Sequence, residues 1–437
     1  MSKSSIGGSC AAIPSGLIWL SSLTAGLAHA APGDRIGEPI LAVANDSAGF
    51  GTFPAIARNA DGRFAVVWYN QTRSVDGSDP VISLMARYYS TQGQPLGSPF
   101  RVDEESRLSL LPTDPNSVSA GMDDAGNLVV LWQEFGATIL TPGVIRGRQF
   151  NADGSPRGRE FVMPFSTSGN QLAPDVAVAA NGDFVAVWAE SNLALLPAGQ
   201  FTVPVADASR IRSQRFGADG ARRGLPTLVD SGFLLANGNS NQGGNSSVGF
   251  PAIAIGRDGQ FAITWTRCVQ SDRRIMAARY AANGQAQGAR FLVSPAGDYP
   301  DIGIDASGRL LIASDRAFRR YQADGQAAGA EVPRPSFLPK LGVTPLGAFV
   351  LASVGRDPAA TVPFAPPVEL VQFFDADAQA LTVQKSAAPS VAAFGNSTFH
   401  GVGVDAAGNY AVVLEGQAGT PASPGQGGIY VQLFSGQ

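Results

Sequence analysis

An all-β fold of seven four-stranded antiparallel blades, a β-propeller whose ring is closed by the amino-terminal strand, is predicted by three features of the sequence. A glycine-centred stretch recurs seven times in one register, each copy reads as short apolar runs separated by tight turns, and the two chain ends carry complementary pieces of one unit.

The register is set by DGRFAVVW at 61–68, which returns as NGDFVAVW at 181–188 and DGQFAITW at 258–265. With Gly62 as origin, the same context recurs at Gly126, Gly182, Gly259, Gly308, Gly347 and Gly408. Six residues after these glycines stand Trp68, Trp132, Trp188, Trp265, Ser314, Ser353 and Leu414; two after them stand Phe64, Leu128, Phe184, Phe261, Leu310, Phe349 and Tyr410. Eight before them stand Pro54, Val118, Pro174, Pro251, Pro300, Pro339 and His400. A stretch needed seven times in fixed register is a structural part, not a catalytic signature.

Within each unit the apolar residues before the glycine, such as PAIAR at 54–58 and PDIGI at 300–304, form a first strand. A DG or NG turn then leads into a second strand such as FAVVW. A third strand ends in a second turn, as in RQFNADG at 148–154 and QRFGADG at 214–220. A fourth opens at Gly97, Gly158, Gly224, Gly288 or Gly329. The blades are expected near 53–103, 117–163, 173–230, 250–294, 299–333, 338–384 and 399–435. The seventh unit stops after its third strand, IYVQLF at 429–434, while RIGEPILAV at 35–43 offers an orphan fourth strand. Residues 34–45 are therefore expected to complete the last blade, leaving no unpaired edge at the seam.

Residue size along the first strand follows the same geometry. Five before each glycine stand Ala57, Gly121, Ala177, Ala254, Gly303, Gly342 and Gly403, small residues suited to blades converging near an axis. The tryptophans further out suit the wider gap between neighbouring blades.

These motifs resemble secreted bacterial seven-bladed β-propeller repeat proteins: a proline-led strand, a DG turn, an aromatic-ended strand and a later F-x-A-D-G turn. The resemblance spans residues 34 to 437. Units five to seven depart from it by lacking the Trp, and the sixth has Asp377-Ala378 in place of the second DG.

Composition limits the function classes. The 437 residues are 44% hydrophobic and only 15% charged, with 52 Gly and 30 Pro, the profile of an ordered, turn-rich protein. A net charge of −4 without a basic run gives no footprint for nucleic acid. Residues 1–30 read as a signal peptide: Lys3 precedes an apolar stretch, and Ala28-His29-Ala30 provides small residues for cleavage. The mature chain, residues 31–437, is then a single β-propeller domain without an integral membrane segment, exported to the periplasm, outer surface or medium, and expected to be a monomer. It keeps one cysteine, Cys268, and one histidine, His400. Zinc sites built from several His or Cys are thereby excluded, and no metal or cofactor is expected.

The sialidase Asp-box does not fit, because it sets its Trp three residues after the glycine and here the spacing is six. The calcium loop of integrin-type propellers is also incomplete: Asp123-Asp124 before Gly126, or Asp405 before Gly408, supply too few carboxylates.

All DG turns belong to one end of the blades. The long connections at 70–80, 103–116, 191–209, 230–250 and 355–367 belong to the other, where variable loops on a rigid scaffold usually carry binding. Near the mouth of the central channel on that face, Asp175, Asp301 and Lys340, seven before their glycines, with His400 one position away, are the candidate ligand-binding residues. Glu134, Glu190, Arg267 and Arg316 lie eight after theirs. Glu134 and Glu190 could serve as acid and base on a glycan; ion pairing with arginines of adjacent blades is the plainer expectation. The sequence thus favours a non-catalytic binding or scaffold protein for an unknown protein or glycan. The alternatives are a carbohydrate-active hydrolase or lyase using loop carboxylates, and a structural or adhesive surface protein.

Overall fold

Seven antiparallel sheets make up the computed structural model, six of them formed by four consecutive strands, a to d from the channel outward, and the seventh by both ends of the chain. It describes residues 30–46, 49–72, 81–105, 116–134, 143–163, 169–198, 201–233, 248–269, 272–334, 337–356, 368–387, 391–393, 400–420 and 423–436. Blade 1 is Gly49–Arg58, Phe64–Thr72, Ile82–Tyr89 and Phe100–Arg101; blade 2 is Val118–Met122, Leu128–Glu134, Val144–Phe150 and Phe161–Val162. Blade 3 is Gly169–Val178, Phe184–Ala198, Phe201–Phe216 and Arg222–Phe233; blade 4 is Val248–Ile255, Phe261–Val269, Asp272–Tyr280 and Phe291–Ser294. Blade 5 is Asp301–Ile304, Leu310–Ala313, Ala317–Tyr321 and Val332–Pro333; blade 6 is Phe337–Val343, Phe349–Gly355, Val368–Phe374 and Lys385–Ser386.

Blade 7 closes the ring. Its inner strand is in two pieces, Val391–Ala393 and His400–Val404, both paired with Tyr410–Thr420, which pairs in turn with Ser423–Phe434. The outermost strand comes from the amino-terminal end: Arg35–Ala44 runs antiparallel to Ser423–Phe434, with Arg35 opposite Phe434 and Ala44 opposite Gly428. The protein is thus a seven-bladed β-propeller with the predicted closure.

The hydrophobic core is divided into seven parts, one per seam between blades. Trp68 packs with Val413 and Val431 of blade 7, Trp132 with Tyr69 and Leu84 of blade 1, Trp188 with Leu131 and Ile145 of blade 2, and Trp265 with Val187 and Ile211 of blade 3. Strand b explains how this works. Because side chains alternate across a strand, Phe64, Val66 and Trp68 face blade 7 while Ala65, Val67 and Tyr69 face blade 2. Both faces are buried, so the strand reads as one apolar run. The residue two after the glycine stacks on the last aromatic of strand c: Phe64 on Tyr89, Phe184 on Phe216, Phe261 on Tyr280 and Phe349 on Phe374, with centroids 4.6–5.0 Å apart.

Close approach of inner strands accounts for the small residues five before the glycine. A Cβ on Gly303 would stand 2.2 Å from Val343 Cγ2 of the next blade, one on Gly342 2.5 Å from Val402 Cγ1, and one on Gly121 2.5 Å from Val178 Cγ2.

Blade 3 departs from the expected outline. Residues 191–209, expected as a loop, continue strands b and c as a paired hairpin, Ser191 opposite Ser209 and Ala198 opposite Phe201, with one irregularity at Asn192/Leu193. Strand d follows it, with Phe233 opposite Ala208. The ladder thus projects well past the blade on the long-connection face. The expected loops at 70–80, 103–116, 230–250 and 355–367 fall largely outside the described residues.

Candidate binding site at the mouth of the central channel

The inner strands enter the channel through an unusual backbone step. Phe53, Ala173, Phe250, Tyr299 and Leu338, each directly before the strand's proline, have φ between 47° and 52°. Non-glycine residues in this region carry strain of roughly 1–3 kcal/mol each, and proline disfavours the helical alternative for the residue before it. In blades 1, 3, 4 and 6 the pairing to strand b slips at this step, from Leu172 to Asp175 in blade 3 for example. Such a bulge re-aims the side chain that follows. That side chain is the residue seven before the glycine, Asp175 in blade 3 and Lys340 in blade 6; Asp301 holds the position in blade 5, after the same positive-φ step, where its pairing begins.

The structure gathers these three in one cavity of about 210 Å³ at the axis, to whose wall all seven inner strands contribute. Each carboxylate is also bonded to the next blade. Asp175 Oδ2 accepts the Ile253 amide at 2.9 Å, and Asp301 Oδ2 accepts the Leu341 amide at 2.7 Å. The inner strand has no further strand on its channel side, and these carboxylates satisfy amides that the ladder leaves over. Ser119 of blade 2, from the equivalent register position, donates to Asp175 Oδ1 at 2.7 Å. Lys340 Nζ donates to Asn116 Oδ1 at 3.2 Å, joining blade 6 to the chain entering blade 2. Burial pushes the Asp175 and Asp301 carboxyls above the ordinary aspartate range; Lys340 opposes this at both.

Ser119 was findable, since it stands seven before Gly126. Asn116 was not, because it lies in a connection outside the repeat. His400 opens the inner strand of blade 7 opposite Leu414; its side chain lies outside the described residues.

Glu134 and Glu190 stand elsewhere, at the outer end of the tryptophan register. Glu190, 1% exposed, accepts from Trp188 Nε1 at 3.1 Å and from Arg212 Nε at 2.7 Å. Glu134 accepts from Arg146 Nε. Both arginines are the strand-c partners of the tryptophans in the same blade, Arg212 opposite Trp188 and Arg146 opposite Trp132. The ion pairs therefore lie within blades, not between them as the sequence suggested. In blade 3 the buried indole N–H and the arginine share one carboxylate. Blade 4 repeats this with other residues: Asp230 on strand d of blade 3 accepts from Trp265 Nε1 at 2.9 Å and Arg267 Nη1 at 2.6 Å. Among the described residues Arg316 forms no ion pair within 4 Å, and its backbone amide donates to Ser314 Oγ at 3.3 Å. Cys268 is half-buried near the end of strand b of blade 4, opposite Arg273. Among the described residues no group of three or more His, Cys, Asp or Glu could hold a metal ion.

Fold and mouth together define the class, a seven-bladed β-propeller with a polar cavity on its axis. No protein-family model and no curated protein sequence matches the chain. Among solved structures it is similar to a protein of unknown function from Dyadobacter fermentans DSM 18053, at 11% identity and a TM-score of 0.50 over 93% of this chain and 100% of that one. It is also similar to the polysaccharide lyase Uly1, at 10% identity and a TM-score of 0.52 over 94% of this chain and 92% of the other. At such identities the likeness is one of fold.

Proposed function

We propose that this chain is an exported, non-catalytic binding propeller that takes a glycan at the channel mouth, on the face carrying the long connections. The observation that carries this reading is the convergence of Asp175, Asp301, Lys340 and Ser119 on one cavity. Two carboxylates, an ammonium and a hydroxyl offer the acceptors and donors that sugar hydroxyls need, on a rigid ring. Both carboxylates hold a backbone amide of the next blade, a commitment that suits fixed recognition better than a proton shuttle. The hydrolase or lyase alternative would rest on Glu134 and Glu190, whose carboxylates are bonded to arginines, Glu190 in a fully enclosed position. The blade 3 hairpin adds surface beside the mouth for a longer ligand or a protein partner.

An array of bacterial envelope oligosaccharides, probed with the mature protein and with a variant shortened between residues 193 and 206, tests this reading. Retained glycans, with weaker retention of the longer ones by the shortened variant, are expected. Retention of envelope proteins and no glycan would replace the ligand class. Turnover of a retained glycan that disappears in an E134Q/E190Q double variant would establish the catalytic alternative.

A further inference from the structure

On the opposite face, the strand-c residue that pairs with the position three after the glycine forms a repeated clasp. It reaches across the seam to a carbonyl in the second turn of the next blade. Tyr88 Oη donates to Asn151 O at 3.1 Å, Gln149 Nε2 to Ala218 O at 3.1 Å, Arg279 Nη1 to Ala323 O, and Arg320 to Ala376 O and Asp375 O, the last at 3.0 Å. These bonds tie blade 1 to 2, 2 to 3, 4 to 5 and 5 to 6. Blades 6 and 7 carry Phe373 and Leu433 at this position.

Arg215 holds the position in blade 3, opposite Val185, and there the clasp is missing. Among the described residues its guanidinium makes no hydrogen bond and no ion pair. It lies against Gly284 of blade 4, where a Cβ would stand 2.7 Å from Nη1. A cavity of about 350 Å³ opens beside it, between the first turns of blades 3 and 4, at Asn181-Gly182 and Asp258-Gly259. Two further arginines line this cavity. Arg223 Nη2 is paired with Asp183 Oδ1 at 3.1 Å, and Arg257, in the first turn of blade 4, is exposed. Burial and the nearby Arg223 both push the Arg215 pKa down, outweighing the opposing pull of Asp183, which is itself paired with Arg223.

We propose that the cleft between blades 3 and 4 on the DG-turn face is a second binding site, for an oxyanion held by Arg215 and Arg257 with Arg223 behind them. A guanidinium presents a planar fork of donors that matches a carboxylate, sulfate or phosphate, and the cavity has room for the sugar or other small polar group carrying it. The sequence pointed away from this face, because its turns are short and regular. The site arises instead from one repeat position whose donor is not used by the ring.

Calorimetric titration of the mature protein with glucuronate, sulfate and phosphate, with glucose as the neutral control, tests the proposal. R215Q is the informative variant: glutamine already makes the clasp at Gln149, so this substitution supplies a seam bond while removing the charge. R279Q, at the next seam, is the control. Saturable binding of at least one oxyanion, weakened about tenfold or more in R215Q and kept in R279Q, is expected. Glucuronate ahead of sulfate and phosphate would assign the group to a sugar acid, and the reverse order to a free inorganic anion. No binding of any oxyanion, or equal binding by a folded R215Q, overturns the proposal. Neither result bears on the channel mouth, which lies on the other face.

Discussion

Asp301 Oδ2 accepts the backbone amide of Leu341 at 2.7 Å, so a carboxylate of blade 5 occupies the open hydrogen-bonding edge of blade 6. Asp175 does the same for Ile253. The side chains that make the channel mouth polar also hold neighbouring blades in register. D301N keeps an oxygen acceptor for the amide and loses the charge; D301A leaves the amide without this partner. The alanine variant is expected to be less stable by about 1–3 kcal/mol and the asparagine variant by clearly less, as read by urea denaturation.

Buried carboxylates give stability a defined pH dependence. Glu415 of blade 7 accepts from Thr52 Oγ1 at 2.8 Å and from the Phe53 amide at 3.2 Å, and burial pushes its pKa from 4.5 up to about 7. Glu369, Asp175 and Asp301 are raised by burial as well. A carboxyl whose folded pKa is raised stabilises fully below its unfolded pKa, and this contribution is lost as pH rises through the folded value. For Glu415 the loss spans pH 4.5 to about 7 and amounts to about 3 kcal/mol at 1.36 kcal/mol per unit. The melting temperature is expected to fall across that window, and E415Q to flatten the fall.

The seams depend on their wedges. Trp188 is fully buried against blade 2, and its indole N–H is bonded to Glu190. W188A is expected to cost about 3–5 kcal/mol. In the same denaturation series E190Q, which keeps an acceptor for the indole, is expected to cost less than E190A.

Near the axis the limit is space. G303A would put a methyl group 2.2 Å from Val343 Cγ2 and is expected to cost about 1–3 kcal/mol. V343A removes the opposing methyls, so the double variant should be more stable than the two single losses predict.

Ring closure by the amino-terminal strand is tested by deleting residues 34–45. Blade 7 would lose its outermost strand and expose the edge of Ser423–Phe434. Aggregation or a large drop in melting temperature is expected on light scattering and calorimetry. An unchanged melting temperature would contradict closure.

Much of this architecture was legible because the blade repeats its chemistry. Glycine at the turn recurs in all seven blades, proline at the entry in five and an aromatic on strand b in six, each for a local geometric reason, and a repeated demand leaves a register. Position seven before the glycine located Asp175, Asp301 and Lys340 for the same reason. What stayed hidden lacked that periodicity. The 191–209 hairpin occurs in one blade and contains Pro197 and Pro204, which read as loop residues. The partners of Glu134 and Glu190 depended on strand pairing, which set Arg146 and Arg212 beside the tryptophans of their own blades. The missing clasp at Arg215 is visible only by comparison with the other seams.

The most direct measurement of the central claim is the affinity of the best glycan from the envelope array for the mature protein and for a D301N/K340Q double variant, with melting temperatures recorded alongside. Binding at the mouth predicts an affinity loss of about tenfold or more with the fold intact. Equal affinity in the two proteins would contradict it and move the glycan site away from the channel.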